Sequence, residues 1–563
     1  MIWIPALLLP LVTAGVIALL STLGGYRSHA VRAGIVRLSW LAVLPAAIGA
    51  LIDDGALHRV EWMLLGTTAR VDDVARPLLL LAAALYGLAL SFVVRGKTDR
   101  THVLTAFLLL CFTGNIAVFL AADLVTFYLA FAAMSFLGYA IVVHDRTAGA
   151  RRAGAIYLVL TVVGECAVLA ALMILAAEGV MSVAEAPAAV AASPWRDTIV
   201  VLLLVGFGVK AGTVPLHVWL PLAHPAAPSP ASAVLSGAML KAGIVGWLRF
   251  LPLGEGEGVP LWGGVFLVLG LAGGLAAAVL GVLHDNPKVI LAYSSISQMG
   301  FLAALVGAAL VAPDLAPACI AAVVVYSVSH GLVKGALFLG VQAWDAENMP
   351  RWTVLGSLGV ASLALVGVPF TAGFVAKYAG KEAVGDVLVP FVPIAVADVL
   401  PWFGVGSTVL LARFFVVLVR RPRHAHRTAV TRDVAWALVS IGAVVPVTLL
   451  ATASAPPVSV PDFLSPATLW AQTWPLLLGV ALAALAGVVS RRVPSSPVLH
   501  PRGDVVPPGD LVVIEERAAR ALGRALAVAS GSLGRSREAL FAAVRRGPSP
   551  WPTLERAQRG VGT

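Results

Sequence analysis

The chain has 563 residues, of which 59% are hydrophobic and only 12% are charged, and its mean hydropathy is +0.93. A soluble globular protein carries about twice that charged fraction, so the composition argues against a soluble protein. The net charge is +10, but basic and aromatic residues are not interleaved, and we expect no nucleic-acid binding.

Apolar runs of 18 or more residues recur from end to end, and each could cross a bilayer as a helix. Because backbone groups in lipid must pair within their own segment, we predict an all-α polytopic membrane protein with about fifteen transmembrane helices. The predicted spans are residues 2–21, 34–52, 76–94, 103–121, 124–143, 153–177, 198–220, 230–252, 260–283, 289–311, 316–343, 353–379, 387–418, 434–452 and 470–489.

The first span has no basic segment before it and is predicted to be retained rather than cleaved as a signal peptide. The three cysteines, Cys111, Cys166 and Cys319, lie inside predicted spans, and no CxxC or Cys/His cluster occurs. We therefore expect no disulfide, iron–sulfur cluster or structural zinc. No glycine-rich dinucleotide motif is present either, so no cofactor is expected.

Loop charges predict the orientation of the chain. Loops after odd-numbered spans are basic, such as "RGKTDR" and "RRPRHAHR", and loops after even-numbered spans are neutral or acidic, such as "GEGEG". This pattern predicts that the N-terminus is outside and the C-terminal tail is in the cytoplasm. The membrane that we predict is a bacterial inner membrane. From Arg491 onward, twelve arginines face six carboxylates, which suits a cytoplasmic tail near anionic lipid.

Ionisable residues inside predicted spans are costly and are functional candidates by default. Arg249 and Arg413 lie near span ends, where we expect them to anchor the interface. The other candidates are Glu165, Lys210, Lys241, His330, Lys334, Lys377 and Asp398.

Two of these lysines lie beside a proline that must break a helix. Pro215 follows Lys210 by five residues, and Pro369 precedes Lys377 by eight. Such breaks are tolerated at membrane depth where they line a wet cavity or pack in protein. Two broken helices, 7 and 12, in matching halves suggest inverted repeats around an ion site. The predicted regions are helices 1–3 (1–102), two five-helix repeats (103–252 and 260–418), C-terminal helices (434–489) and the basic tail (490–563).

Four stretches resemble the proton-translocating antiporter-like membrane subunits of respiratory complex I, Mrp-type cation/proton antiporters and hydrogenase-4 or formate hydrogenlyase complexes. The similarity covers roughly residues 70–420. The stretches are "GFGVKAGTVPLHVWLPLAHPAAPSPASAVLSGAMLKAGIVGWLRF" (206–250), "KVILAYSSISQMGF" (288–301), "SHGLVKGALFLG" (329–340) and "GVPFTAGFVAKY" (367–378).

The resemblance implies two half-channels joined at a lysine in helix 8. By motif, Lys241 is that central lysine, Lys210 is the helix-7 lysine, and Lys377 is the exit-side lysine. His330 and Lys334 are implied to lie on the polar axis in helix 11. His217 and His224 fall in the turn between helices 7 and 8, where we expect them near solvent, in either a pathway or a structural role.

The chain departs from the family pattern at two places. Family members have a glutamate in helix 5 that pairs with the helix-7 lysine, but "FYLAFAAMS" (127–135) has Ala132 at that position. Glu165 in the next helix is a candidate replacement, or it hydrogen-bonds within the bundle while helix 5 is inert. The tail also lacks a further span, and its stripe of Ile514, Ala518, Leu522 and Leu526 predicts an interfacial or partner-docking helix.

These features favour a proton-translocating subunit, with Na⁺ exchange left open, in a complex of membrane subunits and a cytoplasmic soluble module. Any redox chemistry would belong to those partners, so a translocase role is the only enzymatic one we consider. Two alternatives stay open. One is a membrane subunit for inorganic-carbon uptake with a carbonic-anhydrase-like partner, and the other is a degenerate scaffold.

Overall fold

The computed structural model describes residues 3–23, 25–63, 66–94, 100–345, 350–421, 465–493, 496–498, 501, 505–511 and 517. The predicted span 434–452 and the apolar stripe of the tail lie outside these residues. The chain divides into two units, residues 1–509 and 510–563, and the helices described below all belong to the first.

The described part is helical almost throughout. Its helices are α1 (Trp3–Leu23), α2 (Tyr26–Leu38), α3 (Leu44–Ile52), α4 (Ala75–Val93), α5 (Thr101–Leu120), α6 (Leu124–Val142), α7 (Ala148–Ala177), α8 (Ala186–Ala192), α9 (Arg196–Ala211), α10 (Trp219–Ala226), α11 (Ser229–Val234), α12 (Leu240–Phe250), α13 (Pro260–Val282), α14 (Pro287–Val311), α15 (Ala316–Asp345), α16 (Arg351–Val366), α17 (Ala372–Ala383), α18 (Val396–Val399), α19 (Trp402–Arg420) and α20 (Pro466–Arg492). A short antiparallel hairpin of β1 (His58–Val60) and β2 (Thr67–Ala69) lies between α3 and α4.

The prediction of a polytopic all-α membrane protein is confirmed. Twelve helical segments of the described residues are long and apolar enough to cross a membrane. The two segments predicted to be broken, α9 and α16, are only 16 residues long each. The total of about fifteen spans and the inverted repeats stay predictions.

Burial divides the bundle into a centre and a periphery. The most apolar 18-residue stretches of the α11–α12 segment and of α14 are completely buried. The corresponding stretch of α15 is 83% buried, and that of α20 is 11% buried. A buried span that carries polar groups can only place them against other protein groups or enclosed water. The centre is therefore the place to look for a polar pathway.

Glycines let the central helices approach closely. A Cβ atom added at Gly331 of α15 would lie 2.5 Å from the carbonyl oxygen of Gly237, just before α12. Because a larger residue would hold these backbones apart, the glycine pair brings the polar faces of the two segments together.

Arg249 and Arg413 bind backbone carbonyls, and Asp398 is exposed. Arg249 is 7% exposed and donates to the carbonyl oxygens of Val118, Phe119 and Ala121 at the end of α5, and its role as an interface anchor stays a prediction. The free carbonyls of a helix C-terminus bind a guanidinium well. Arg413 is partly buried and donates to the His284 carbonyl at 3.0 Å. Asp398 is exposed in the short helix α18, at the start of a segment, Val396–Arg420, that is long and apolar enough to cross a membrane.

Replacing Arg249 by alanine is expected to destabilise the protein without acting on ion transport directly. The change would leave three carbonyl oxygens unpaired and would remove a 3.0 Å contact with Asp72. The expected loss is roughly 2–4 kcal/mol, since unpaired buried groups cost about 1–3 kcal/mol each but part of this network reaches solvent. The melting temperature of the purified complex measures it. Arg196→Ala, at an exposed ion pair, is the control, and an unchanged melting temperature for Arg249→Ala would contradict the assignment.

Candidate functional site

Predicted helix 7 (198–220) corresponds to α9 and the start of α10, and its break lies directly after Lys210. Helix α9 ends at Ala211, Gly212 adopts the left-handed conformation with φ 71°, and the Val214–Pro215 peptide bond is cis. Lys210 therefore lies in the last turn of α9, where the helix dipole favours a cation. The indole Nε1 of Trp219 donates to the Val209 carbonyl at 2.8 Å, which satisfies one carbonyl near the helix end. Pro215 thus breaks the segment as predicted.

Lys210 and Glu165 line the same small cavity. About 10 Å³ of it is open to the centre of a water molecule, which is close to the minimum for one water. Both side chains are buried, at 6% and 4% exposure. The Nζ atom of Lys210 lies 3.5 Å from the Tyr157 hydroxyl, which donates to the Ser135 carbonyl at 2.7 Å. One acid, one amine and one phenol thus face a single water-sized space.

Helix α6, which corresponds to predicted helix 5, contributes no carboxylate to this cavity. Phe131 and Ser135 of α6 line it, whereas Ala132 does not. Among the lining residues, Glu165 of α7 is the one acid. Glu165 therefore lines the cavity of Lys210, as a replacement for the absent helix-5 glutamate would. The replacement itself stays a prediction.

Lys241 lies at the start of α12, next to a π turn over Leu235–Met239. π turns disturb the regular helix ladder and often mark functional sites. Here the fully buried Nζ atom of Lys241 donates to the Ser236 carbonyl at 3.0 Å. The same Nζ lies 2.7 Å from Nδ1 of His330. Lys241 is thus paired with one backbone carbonyl and one imidazole.

Helix α15 presents three polar side chains at intervals of four residues, Tyr326, His330 and Lys334, all on one face. The Tyr326 hydroxyl donates to Oε1 of Gln298 on α14. The Nζ atom of Lys334 donates to the Leu291 carbonyl at 2.9 Å. Tyr326, His330 and Lys334 therefore lie on one buried polar face of α15, and the role of His330 and Lys334 in a polar axis stays a prediction.

Lys377 lies beside the second break. Helix α16 ends at Val366, Gly367 follows with φ 90°, and α17 begins at Ala372. The Nζ atom of Lys377 donates to the Val366 carbonyl at 2.8 Å. The break thus supplies the acceptor that the buried lysine needs, because the last carbonyls of a helix have no partner within it.

The expectation that His217 and His224 lie near solvent is wrong. They are 1% and 0% exposed, respectively, because the segment after the helix-7 break folds back into the bundle. The ring of His224 stacks on Phe338 with centroids 4.4 Å apart, and the ring of His217 lies 6.5 Å from that of Tyr293.

Three polar residues of the site were missed by sequence reasoning: Tyr157, Gln298 and Tyr326. A signal was present for both tyrosines. Tyr157 precedes Glu165 by two helical turns, as Tyr326 precedes Lys334, and residues at such spacings share a helix face. Searching for charges alone overlooked them. Gln298 follows Ser294, Ser295 and Ser297 in α14, but no charged residue of that helix marked it.

Within the described residues, no group of three or more His, Cys, Asp or Glu side chains could hold a metal ion.

Comparisons with known proteins agree with this architecture. Residues 121–395 match the family model described as NADH:quinone oxidoreductase/Mrp antiporter, TM. An uncharacterized protein of Mycobacterium tuberculosis is 36% identical over 278 residues, covering 46% of this chain and 43% of that protein. Hydrogenase-4 component B of Escherichia coli is 29% identical over 341 residues, covering 55% of this chain and 50% of that protein. This chain thus spans about half the length of these two relatives.

A chain in the structure of the Mrp complex from Dietzia sp. has the same fold. It superposes with a TM-score of 0.74 at 21% identity, covering 97% of this chain and 63% of that chain. At this identity the similarity is one of fold.

Proposed function

Through residues 121–395 the chain belongs to the antiporter-like membrane subunit family of NADH:quinone oxidoreductases and Mrp antiporters, and we propose that it translocates protons as one subunit of a multi-subunit membrane complex. The axis that we propose consists of seven side chains and one candidate acid at its first lysine. Its members are Lys210 with Glu165, His217, His224, Lys241, His330, Lys334 and Lys377.

The contact between Lys241 and His330 carries this proposal. An amine and an imidazole lie 2.7 Å apart and are both buried. Two fully protonated groups cannot form this hydrogen bond, because neither would have a lone pair to accept with. At most one extra proton is therefore shared by the pair, and adding or removing a proton changes the pair directly. Such a pair suits a relay.

The surroundings of the other lysines support the same role. Lys334 and Lys377 donate to the backbone carbonyls of Leu291 and Val366, which bear no full charge. A buried ammonium without a nearby carboxylate is costly, so charge on these groups is favoured to be transient. Hard cations such as Na⁺ prefer oxygen ligands, whereas amine and imidazole nitrogens are proton acceptors, and we therefore propose H⁺ rather than Na⁺ as the ion that these residues carry.

The test is proton uptake into membrane vesicles that contain the whole complex, energised through its natural partners. Uptake that depends on this subunit supports the proposal. A complex that turns over normally but moves no protons contradicts it and favours the scaffold alternative, although four buried lysines are difficult to reconcile with an inert scaffold.

Inorganic-carbon uptake remains the second candidate because the same axis could drive it. Its partner would be a carbonic-anhydrase-like, zinc-dependent soluble protein. Purification of the intact complex separates the two: co-purifying redox or antiporter subunits support our proposal, and a large soluble zinc protein supports the alternative.

We propose that the complex lies in the bacterial inner membrane, with the N-terminus outside and the basic tail on the cytoplasmic side against lipid or a soluble module. Deleting residues 509–563 is expected to weaken assembly more than it lowers proton uptake, because it removes an apolar stripe whose docking would stabilise the complex by roughly 25 cal/mol per Å² of apolar surface buried. Native gel electrophoresis of the complex and proton uptake per assembled complex measure the two effects. Full assembly after this deletion, or a tail labelled from outside, would contradict the assignment.

A further inference from the structure

A second polar cavity lies beside Lys377, at the break between α16 and α17. About 20 Å³ of it is open to the centre of a water molecule, which is enough for about one water or slightly more. Its polar walls are Lys377 and Lys381 of α17 and Gln472 of α20. Lys377 is 7% exposed, whereas Lys381, one helical turn nearer the end of α17, is only partly buried. The polarity therefore continues from the buried lysine toward the end of the span.

An aromatic layer separates this cavity from the centre of the axis. Phe301 lines the cavity, and its ring stacks on that of Tyr326 with centroids 4.8 Å apart. The ring of Tyr326 in turn lies 6.3 Å from that of His330. The cavity is thus one aromatic side chain away from the face that carries His330.

Helix α20 is fitted to this place by close packing on α19. Pro475 packs where a Cβ atom at Gly404 would lie 3.1 Å away, and Thr408 packs where a Cβ atom at Gly479 would lie 2.5 Å away. The rings of Trp402 and Trp474 also meet, with centroids 5.8 Å apart. These contacts fix the rotation of α20, so that Gln472 faces the cavity while Val480 is 52% exposed on the outside of the bundle. Helix α20 also lies beyond residues 121–395, the segment that matches the family.

We propose that Gln472 of α20 is a positioning residue that holds water in this cavity beside Lys377, the exit-side lysine that the resemblance implies. This inference rests on the proposed function. The occupant is water, which accepts a proton from Lys377 and passes it toward Lys381 and the surface. Gln472 holds that water by hydrogen bonding and is a positioning residue. The topology predicted from the loop charges places this end of α17 on the outer side of the membrane.

Thiol labelling of the complete complex in sealed membranes tests the cavity. Gln472→Cys is made in a Cys166→Ser background, because Cys166 is exposed whereas Cys111 and Cys319 are buried. The probe is sulfonatoethyl methanethiosulfonate, a membrane-impermeant anion suited to a cavity lined by two lysines. Val480→Cys on the same helix is the control. We expect the Gln472→Cys thiol to react about tenfold faster than the control, since reaction needs a hydrated thiolate, and only with reagent added outside.

Labelling of Gln472→Cys no faster than Val480→Cys, or only from the cytoplasmic side, would show that residue 472 does not face water on the outer side and would overturn the proposal. Gln472→Leu is the second variant, with Leu477→Ala on the outer face of α20 as its control. Gln472→Leu should lower proton uptake about five- to tenfold, the factor that corresponds to the loss of roughly one hydrogen bond, and Leu477→Ala should leave it unchanged. Fast labelling combined with unchanged uptake in Gln472→Leu would overturn the role of Gln472. An unmodified complex that moves no protons would instead overturn the proposed function, whatever the labelling shows.

Discussion

Lys241→Ala is expected to abolish proton translocation while the complex still assembles. Lys241 is fully buried and bonds both to the Ser236 carbonyl and to His330, so alanine removes the group that connects the π turn of the α11–α12 segment to α15. The expected loss is about 100-fold or more, the scale on which a positioned proton-transfer group acts. Initial rates of proton uptake in vesicles, divided by the amount of assembled complex, measure it.

Two further variants separate a relay from a packing role. Arg420→Ala removes an exposed cation at the end of α19 and should leave uptake unchanged. His330→Ala should reduce uptake as strongly as Lys241→Ala, and the double variant should be no worse than either one, because both changes interrupt the same contact. Normal uptake by Lys241→Ala would remove Lys241 from the pathway.

Local sequence signals predicted the features that depend on single residues. Pro215 and Pro369 marked the two helix breaks, and the breaks occur after Ala211 and Val366. Charged residues within apolar runs predicted Lys241, Lys334 and Lys377 as interior groups because burying a charge is costly wherever it occurs. These signals lie in the chain within a few residues of the feature.

Features that depend on how segments pack could not be read in the same way. The histidines after the helix-7 break belong to a polar turn by composition, but tertiary packing buries them. The π turn before Lys241 has no residue signature. The closeness of Lys210 to Glu165 depends on the rotation of α7 against α9, which no local pattern specifies. The inverted repeats likewise stay a prediction from the matching breaks alone.

The acceptors around the four buried lysines distinguish Lys210 from the other three. Each of Lys241, Lys334 and Lys377 donates to a neutral acceptor within 3.0 Å. Lys210 alone has a carboxylate lining its cavity and only a 3.5 Å contact to a hydroxyl. Lys210 is therefore the lysine whose charge state should depend most on an acid, and Glu165 is the acid at hand.

Glu165→Gln is accordingly expected to reduce proton uptake strongly, by about 100-fold if the acid sets the charge state of Lys210. Removing the acid of a buried charged pair leaves the amine uncompensated, at a cost of about 3–5 kcal/mol. Lys210 would then be held in its neutral form and could not carry a proton. Lys210→Ala should be as severe, and the double variant no worse than either single one. Initial rates of vesicle uptake per assembled complex again give the values. Cys166→Ser, a change at the exposed neighbour of Glu165, is the matched control.

A decisive variant then moves the carboxylate to helix 5: Ala132→Glu in the Glu165→Gln background should restore part of the uptake if Glu165 replaces the family glutamate. Unchanged uptake by Glu165→Gln would refute the pairing, and severe loss without rescue would confine the role of Glu165 to its own position in α7.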